Sequence, residues 1–217
     1  MECPVKATTK IYGLIGHPVS HSFSPAMHNT AFSKLKLDAV YGAFDVPPER
    51  LEHALMGVCG LGIAGLNVTV PHKSAVIPHL DRLEPLAKTI GAVNTIVNHN
   101  GSLRGTSTDS AGFLRALKEN GMEPNGLNIV MLGAGGSARA LLAGLAEANA
   151  SSVRVWNRTT VRAQNLVKDL KPIFPGCNIQ HIEKENLMGL ECDLLINTPS
   201  AGMHDDDSGF GYPFGAG

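Results

Sequence analysis

The strongest constraint on the fold is an apolar run that leads straight into a glycine-rich loop. Residues 128–132 (Asn-Ile-Val-Met-Leu) precede Gly133, Gly135 and Gly136, and a run of small residues rich in alanine and leucine follows. This order predicts a buried strand, a tight turn and the first turn of a helix. The spacing from Gly133 to Ala138 is G-x-G-x-x-A, which is typical of a dinucleotide-binding βαβ unit.

In such a unit, each small residue of this loop would have its own structural role. Gly133 would make the turn, Gly135 would let the backbone approach a pyrophosphate, and Ala138 would let the helix lie close to the strand. The N–H groups and the positive end of the helix dipole would then face the anion. Taken alone, the loop fits a glycine-rich turn that binds no nucleotide equally well. The candidate cofactor-binding residues here are Gly133, Ala134, Gly135, Gly136, Ser137 and Ala138.

The residues after the loop favour the nucleotide interpretation. Ala138, Leu141, Leu142 and Leu145 have the spacing of a crossover helix, and residues 153–156 predict the second strand. NAD sites place an acidic residue after that strand, about twenty residues past the loop, whereas an arginine there accommodates a 2′-phosphate. This chain has no acid at that point, which predicts NADP rather than NAD; a solvated surface arginine is the alternative. The candidate residues are Asn157, Arg158 and Thr159.

Composition narrows the class of protein. The 217 residues include 43% apolar and 17% charged residues with a formal net charge of −1, which is typical of a globular protein. This charge predicts no nucleic-acid or membrane partner, and no apolar run approaches the roughly 18 residues of a membrane span. The start lacks the apolar core of a signal peptide, so we expect a cytoplasmic protein. Scattered cysteines and the absence of an H-E-x-x-H sequence predict no metal site.

Strand and helix patterns alternate along the whole chain. Strands are expected at residues 10–15, 39–46, 63–70, 92–97, 103–106, 128–132, 153–156, near 179 and at 193–197. Helices are expected after a Ser24 cap with Met27, Ala31, Phe32 and Leu35 on one face, after Pro47, around Leu83 to Ile90, after an Asp109 cap, at 138–148 and at 161–170.

These patterns predict an α/β fold with two domains. The first, at residues 1–108, would be a substrate-binding catalytic domain, and the second, at residues 109–217, a Rossmann-type NADP-binding domain. Residues 205–217 contain three consecutive aspartates and four glycines, which predict loop or disorder.

Polar residues follow the strand ends of the first half. Lys73 follows the third strand, Asn94 and Thr95 lie on the next short strand, and Asp109 follows Thr108. A lysine beside an aspartate can exchange a proton with a carbinol oxygen, because burial and neighbouring charges tune its basicity. A surface lysine and an ordinary helix-capping aspartate remain an open alternative.

Six motifs occur in one order along the chain. They are Ser22-Phe23-Ser24-Pro25 with His28-Asn29, residues 67–73 (Asn-Val-Thr-Val-Pro-His-Lys), residues 92–95, residues 105–109, the glycine loop with residues 157–159, and residues 197–203. By these motifs, the chain from Lys10 to Met203 resembles the shikimate dehydrogenase family.

The resemblance implies reversible reduction of 3-dehydroshikimate to shikimate with NADPH, in aromatic amino-acid (chorismate) biosynthesis. It implies that Ser22 and Ser24 hold the substrate carboxylate; serine at both positions is similar to the shikimate-preferring rather than the quinate-preferring branch. It also implies that Thr69, Asn94 and Asp109 hold ring hydroxyls.

The resemblance further assigns the reacting groups. Lys73, paired with Asp109, would be the acid/base, and the loop with Thr198 and Met203 would lie near the nicotinamide. The partner would be a small-molecule substrate, and the protein a monomer or a homodimer. The alternatives are a relative acting on quinate or another hydroxy acid, and a non-catalytic fragment that binds nucleotide.

The chain departs from the family pattern in two places. Ser107 stands where the family usually has asparagine. Family members also continue well beyond Met203, with the last strands of the nucleotide sheet, a substrate-contacting glutamine and helices that pack on the first domain. We therefore expect a Rossmann-type domain that is incomplete at its C-terminal side, in a truncated product or a natural short form.

Overall fold

The computed structural model describes residues 5–187 and 189–199. The chain divides into two compact units, Met1–Thr108 and Asp109–Gly217, which we call unit 1 and unit 2. Met203 and the loop predicted at residues 205–217 lie outside the described residues. Within the described ranges, no helix is long and apolar enough to cross a membrane.

Unit 1 is built on a six-stranded mixed sheet. Its elements are β1 (Lys10–Gly16), α1 (Ser24–Lys34), β2 (Ala39–Asp45), α2 (Leu51–Gly60), β3 (Gly65–Val68), β4 (Arg82–Leu83), α3 (Pro85–Ile90), β5 (Thr95–His99) and β6 (Ser102–Thr106). The strands lie in the order β2-β1-β3-β5-β6-β4. β1 runs parallel to β2 and β3, β5 is antiparallel to β3 and β6, and β4 is parallel to β6.

This topology brings several chain segments to one edge of the sheet. The carboxyl ends of β1 and β3 meet there, because the two strands are parallel. β5 is antiparallel to β3, so its first residue, Thr95, pairs with Asn67 at the same end. Thr106, the last residue of β6, pairs with Thr95 in turn. We call this edge, where β1, β3 and β6 end and β5 begins, the site edge of unit 1.

The two faces of this sheet are covered differently. The α2 residues Leu51, Leu55 and Val58 recur at helical spacing and are buried in one apolar core with the sheet. α1 contacts β1 and β2 but has no buried residue, and Met27 is 61% exposed. Of the four residues whose spacing predicts this helix, Met27, Ala31 and Leu35 are exposed, and Phe32 packs partly buried against Leu14, Val19 and Tyr41.

The helix caps predicted at Ser24 and Asp109 lie one residue too late in the chain. α1 begins at Ser24 itself, with Phe23 in the cap position, and α4 (Asp109–Glu119) begins at Asp109. The side-chain acceptor for the first turn of α1 comes from two residues earlier, because the hydroxyl of Ser22 accepts a hydrogen bond from the N–H of Ser24 at 3.2 Å. Ser22 and Ser24 are thereby held next to each other.

The helix predicted around Leu83 to Ile90 begins later than expected. Glu84 is extended, with φ −63° and ψ 148°, because it precedes Pro85, and a residue before proline is disfavoured in the helical region. Leu83 lies instead in β4 and pairs with Gly105 of β6.

Unit 2 is built on a four-stranded parallel sheet. Its elements are α4, β7 (Asn128–Leu132), α5 (Gly136–Glu147), β8 (Ser152–Trp156), α6 (Thr160–Leu170), β9 (Asn178–His181) and β10 (Leu194–Asn197). The strands lie in the order β10-β7-β8-β9, and each strand after β7 is reached through a crossover.

The core of unit 2 places α5 tightly between the sheet and α4. Ala138, Leu142 and Leu145 of α5 are fully buried. A Cβ atom at Gly144 would lie 2.7 Å from the Cβ of Ser110, so the two helices approach closely there. Among the described residues β10 is an edge strand, and its Leu195 is 48% exposed.

Candidate active site

The glycine loop of unit 2 has the geometry that its spacing predicts. β7 ends at Leu132, and Gly133 then turns the chain with φ +103°, a conformation that L side chains rarely adopt. Its N–H donates to the carbonyl of Trp156 at 2.7 Å, which holds the loop against the end of β8. A Cβ atom on Gly133 would also collide with the hydroxyl of Thr198.

Thr198 joins this loop through the end of β7. Its N–H and its hydroxyl both donate to the carbonyl of Leu132, at 2.9 and 2.7 Å. The predicted nicotinamide-side residue Thr198 therefore lies directly beside the predicted phosphate loop. Met203, predicted with it, lies outside the described residues.

The start of α5 fits an anionic group. Gly135 occupies the cap position with φ −86° and ψ −171°, and no side chain caps the helix. The first-turn N–H groups of a twelve-residue helix therefore point toward the loop with the positive end of the helix dipole. A Cβ atom at Gly135 would meet nothing within 4 Å, so this glycine leaves open space where a pyrophosphate would approach the backbone.

The predicted 2′-phosphate residues lie at the same sheet edge, because β8 pairs in parallel with β7 and Trp156 lies opposite Leu132. Asn157 shapes the turn, since its side-chain amide donates to the carbonyl of Thr159 at 2.9 Å. Arg158 is exposed, and Thr159 occupies the cap position of α6 with no side-chain cap bond. These residues fit NADP: a guanidinium follows β8 where NAD sites carry an acid.

The serine loop and the end of β3 adjoin at the site edge of unit 1. The N–H of His17 donates to the carbonyl of Val70 at 2.9 Å, and the N–H of Thr69 donates to the carbonyl of Ile15 at 2.9 Å. Gly16 permits this approach, because a Cβ atom there would collide with the Thr69 methyl group. The loop that carries Ser22 and Ser24 therefore starts beside Thr69.

The lysine loop is anchored on both sides. The half-buried Lys73 accepts a hydrogen bond at its carbonyl from the N–H of Val93 at 2.7 Å. The preceding His72 is fully buried, and its Nε2 lies 2.7 Å from the carbonyl of Val46. Because a carbonyl only accepts, Nε2 carries the proton of this pair. Lys73 is thus fixed to the chain just before Asn94.

Asn94 is tied to the residue that precedes Asp109. Its Nδ2 donates to the hydroxyl of Thr108 at 2.9 Å, and its Oδ1 accepts the N–H of Thr108 at 3.0 Å. The substrate residues predicted in unit 1 thus share one edge. Asp109 opens α4 and belongs to unit 2, so its pairing with Lys73 stays a prediction.

Sequence reasoning missed Tyr41 and Asn67. The hydroxyl of Tyr41 donates to Oδ1 of Asn67 at 2.7 Å, and burial raises the pKa of Tyr41 to about 12. Both residues line a cavity of 590 Å³ between α1 and the sheet, which includes none of the predicted substrate residues. The available signal was a single amide inside the apolar strand β3, between Leu66 and Val68.

No group of three or more His, Cys, Asp or Glu side chains is arranged to hold a metal ion within residues 5–187 and 189–199.

The parallel sheet with a glycine loop at its carboxyl edge defines unit 2 as a Rossmann-type nucleotide-binding domain, in a chain whose other unit is a second α/β domain. A family model described as shikimate dehydrogenase substrate binding domain matches residues 14–96, and one described as shikimate / quinate 5-dehydrogenase matches residues 116–200.

Individual relatives agree with these family models. The shikimate dehydrogenase (NADP(+)) of Caldanaerobacter subterraneus subsp. tengcongensis is 46% identical over 206 residues, which cover 93% of this chain and 72% of that relative. The crystal structure of shikimate dehydrogenase from Aquifex aeolicus matches with a TM-score of 0.85 at 40% identity and covers 94% of this chain and 74% of that one. Shikimate 5-dehydrogenase from Thermus thermophilus, in complex with NADP(H) and shikimate, matches with a TM-score of 0.78 at 39% identity over 89% of this chain and 70% of that one. The chain belongs to the shikimate dehydrogenase family.

Proposed function

We propose that this chain catalyses the reversible NADP-dependent oxidation of shikimate to 3-dehydroshikimate, with unit 1 as the substrate domain and unit 2 as the NADP domain. The observation that carries the proposal is the site edge of unit 1, where the Ser22 loop, Thr69, the Lys73 loop and Asn94 are joined by short backbone and side-chain bonds. Relatives named as NADP-dependent shikimate dehydrogenases support the same activity.

The proposed cofactor site follows from the two loops at the carboxyl edge of β7 and β8. Residues 133–138 would hold the pyrophosphate through backbone N–H groups, and Arg158, with Asn157 and Thr159, would hold the 2′-phosphate. Thr198 would line the nicotinamide side, since it lies against Gly133. Bound NADP supplies the acceptor or donor of the hydride.

The proton would move at the Nζ atom of Lys73. In the oxidation of shikimate, a neutral Lys73 amine takes the proton of the reacting hydroxyl while a hydride leaves the carbon that bears this hydroxyl. In the reduction, the Lys73 ammonium returns the proton to the carbonyl oxygen. The carboxylate of Asp109 would stabilise the positive charge of the lysine and accept a hydrogen bond from a substrate hydroxyl. The anchoring of the Lys73 carbonyl to Val93 supports this role, because it fixes the lysine beside Asn94.

The remaining polar groups would orient the substrate. The hydroxyls of Ser22 and Ser24 would donate to the substrate carboxylate, and Thr69 and Asn94 would bind ring hydroxyls. Two serines in the carboxylate loop favour shikimate. Quinate is the second candidate, because the matching model of residues 116–200 describes shikimate / quinate 5-dehydrogenases.

Replacing Lys73 tests the proposed chemistry. We expect Lys73→Ala to lower kcat for shikimate oxidation by roughly 10²–10⁴-fold, with NADP affinity nearly unchanged, because it removes proton transfer and not cofactor contacts. Lys88→Ala is the matched control, since Lys88 is an exposed lysine on α3 of the same unit. The measurement is NADPH formation from shikimate together with calorimetric titration of NADP. Wild-type turnover in Lys73→Ala would exclude lysine as the acid/base.

The same experiment separates the other hypotheses. NADP binding without turnover of either shikimate or quinate would support a non-catalytic nucleotide-binding chain instead. Sedimentation at the assay concentration would distinguish the proposed monomer from the proposed homodimer.

A further inference from the structure

We propose that Tyr41 is a positioning residue, which orients the substrate-binding amide of Asn94 through Asn67 and Thr95. The proposal rests on the proposed function in one respect only, that Asn94 binds the substrate. The hydrogen-bond path itself lies wholly within unit 1.

The path is a series of donors that all point toward Asn94. The hydroxyl of Tyr41 donates to Oδ1 of Asn67 at 2.7 Å, and Nδ2 of Asn67 donates to the hydroxyl of Thr95 at 3.3 Å. The hydroxyl of Thr95 then donates to Oδ1 of Asn94 at 2.9 Å. Each group donates a hydrogen bond to the next group, so the direction of the first bond sets the direction of the last.

Tyr41 is held firmly enough to act as the fixed end of this path. It lies on the edge strand β2, and the side-chain amide of Asn29 bonds to both its N–H and its carbonyl at 2.9 Å. Its ring stacks on His28 with centroids 4.3 Å apart, and the residue is only 5% exposed. Two backbone bonds and a stacked ring leave the hydroxyl little freedom.

The hydroxyl of Tyr41 is also a permanent donor. Burial raises the pKa of Tyr41 to about 12, so the phenol keeps its proton at every pH at which the protein would work. In its bond to the phenol, Asn67 presents its oxygen, which turns the amide nitrogen of Asn67 toward Thr95 and the carbonyl of Asn94. Tyr41→Phe removes this bond, so the amide keeps its bonds on the nitrogen side and loses the one that fixes its oxygen.

The orientation of Asn94 decides which group it offers to a substrate hydroxyl. Its Oδ1 accepts from Thr95 and from the N–H of Thr108, and its Nδ2 donates to the Thr108 hydroxyl at 2.9 Å. These bonds agree on one of the two amide orientations. Removing the Thr95 bond weakens the preference for that orientation, so substrate binding should weaken before catalysis does.

Kinetics of paired variants test the path. Tyr41→Phe removes the hydroxyl and keeps the ring stack, and we expect the KM for shikimate to rise about 3- to 10-fold, the effect of one lost hydrogen bond, with kcat and the KM for NADP within about twofold. Thr95→Val should have the same effect and Thr95→Ser should not, because serine keeps the hydroxyl. The double variant Tyr41→Phe/Thr95→Val should cost about as much as either single variant.

Tyr12→Phe is the matched control, because Tyr12 lines the same cavity but packs its ring on Phe32 and lies outside the path. A direct readout is the side-chain NH₂ resonance of Asn94 in the NMR spectrum of the full chain. Tyr41→Phe should shift this resonance although Tyr41 bonds to Asn67, and Tyr12→Phe should leave it in place.

The outcomes are distinct. A shikimate KM that Tyr41→Phe changes no more than Tyr12→Phe overturns the proposal, and so does an unmoved Asn94 resonance. If the wild-type chain does not oxidise shikimate, the proposed function fails, and the Asn94 resonance alone then decides whether Tyr41 orients that amide.

Discussion

A methyl group added at Gly133 should destabilise unit 2, whereas a methyl group added at Gly135 should weaken cofactor binding. The two glycines are two residues apart in one loop, yet their surroundings differ. Gly133 has φ +103°, and a Cβ atom there collides with the hydroxyl of Thr198. Gly135 has φ −86°, and a Cβ atom there meets nothing within 4 Å.

The geometry sets the expected magnitudes. For Gly133→Ala, backbone strain of roughly 1–3 kcal/mol adds to the loss of the Thr198 hydroxyl bond, so the free energy of unfolding should fall by about 2–4 kcal/mol. For Gly135→Ala, the poorer cap and the reduced freedom of the unfolded chain offset each other, so the free energy of unfolding should change by less than about 1 kcal/mol. Its methyl group would nevertheless stand where the proposed site places the pyrophosphate, so NADP affinity should fall about tenfold or more.

Urea unfolding and calorimetric NADP titration of both variants measure the two effects. Gly176→Ala is the matched control, because a Cβ atom at Gly176 also meets nothing within 4 Å and the residue lies away from the loop. Wild-type NADP affinity in Gly135→Ala would refute the placement of the pyrophosphate against this backbone. Wild-type stability in Gly133→Ala would refute the strained turn.

Three further predictions concern the cofactor, pH and the sheet edge. Arg158→Ala should weaken NADP binding about tenfold or more and leave NAD binding unchanged, with the exposed Arg162 as control; equal losses for both cofactors would contradict the 2′-phosphate assignment. Burial raises the pKa of Tyr41 to about 12 in the folded chain, so the phenol of the unfolded chain ionises first, and the free energy of unfolding should fall by up to about 2 kcal/mol between about pH 10 and pH 12. Tyr41→Phe should lack this fall, and the same pH profile of stability in the wild type and the variant would contradict the prediction. Hydrogen exchange should be faster in β10, the edge strand among the described residues, than in the central β7, and equal protection would show that the edge is covered.

The glycine loop could be predicted from sequence because its determinants are local. The apolar run before Gly133, the spacing to Ala138 and the residues after β8 all lie within one βαβ unit, and the structure confirms the strand, turn and helix. The same holds for α2, whose buried residues follow one helical stripe.

The Tyr41 path could not be predicted, because it depends on strand pairing between distant residues. Tyr41 and Asn67 are 26 residues apart in the chain, and they meet only because β1 places β2 and β3 on its two sides. The exposure of Met27 on α1 could not be predicted either, because helical spacing identifies an apolar stripe but not what covers it. The helix predicted around Leu83 begins only at Pro85, because the residue before a proline is disfavoured in the helical region.

The proposed function is tested most directly by the steady-state oxidation of shikimate and of quinate by this chain with NADP as the acceptor. We expect NADPH formation from shikimate, a lower kcat/KM for quinate, and loss of turnover in Lys73→Ala with NADP binding retained. NADP binding with no turnover of shikimate by the wild-type chain would contradict the proposed function.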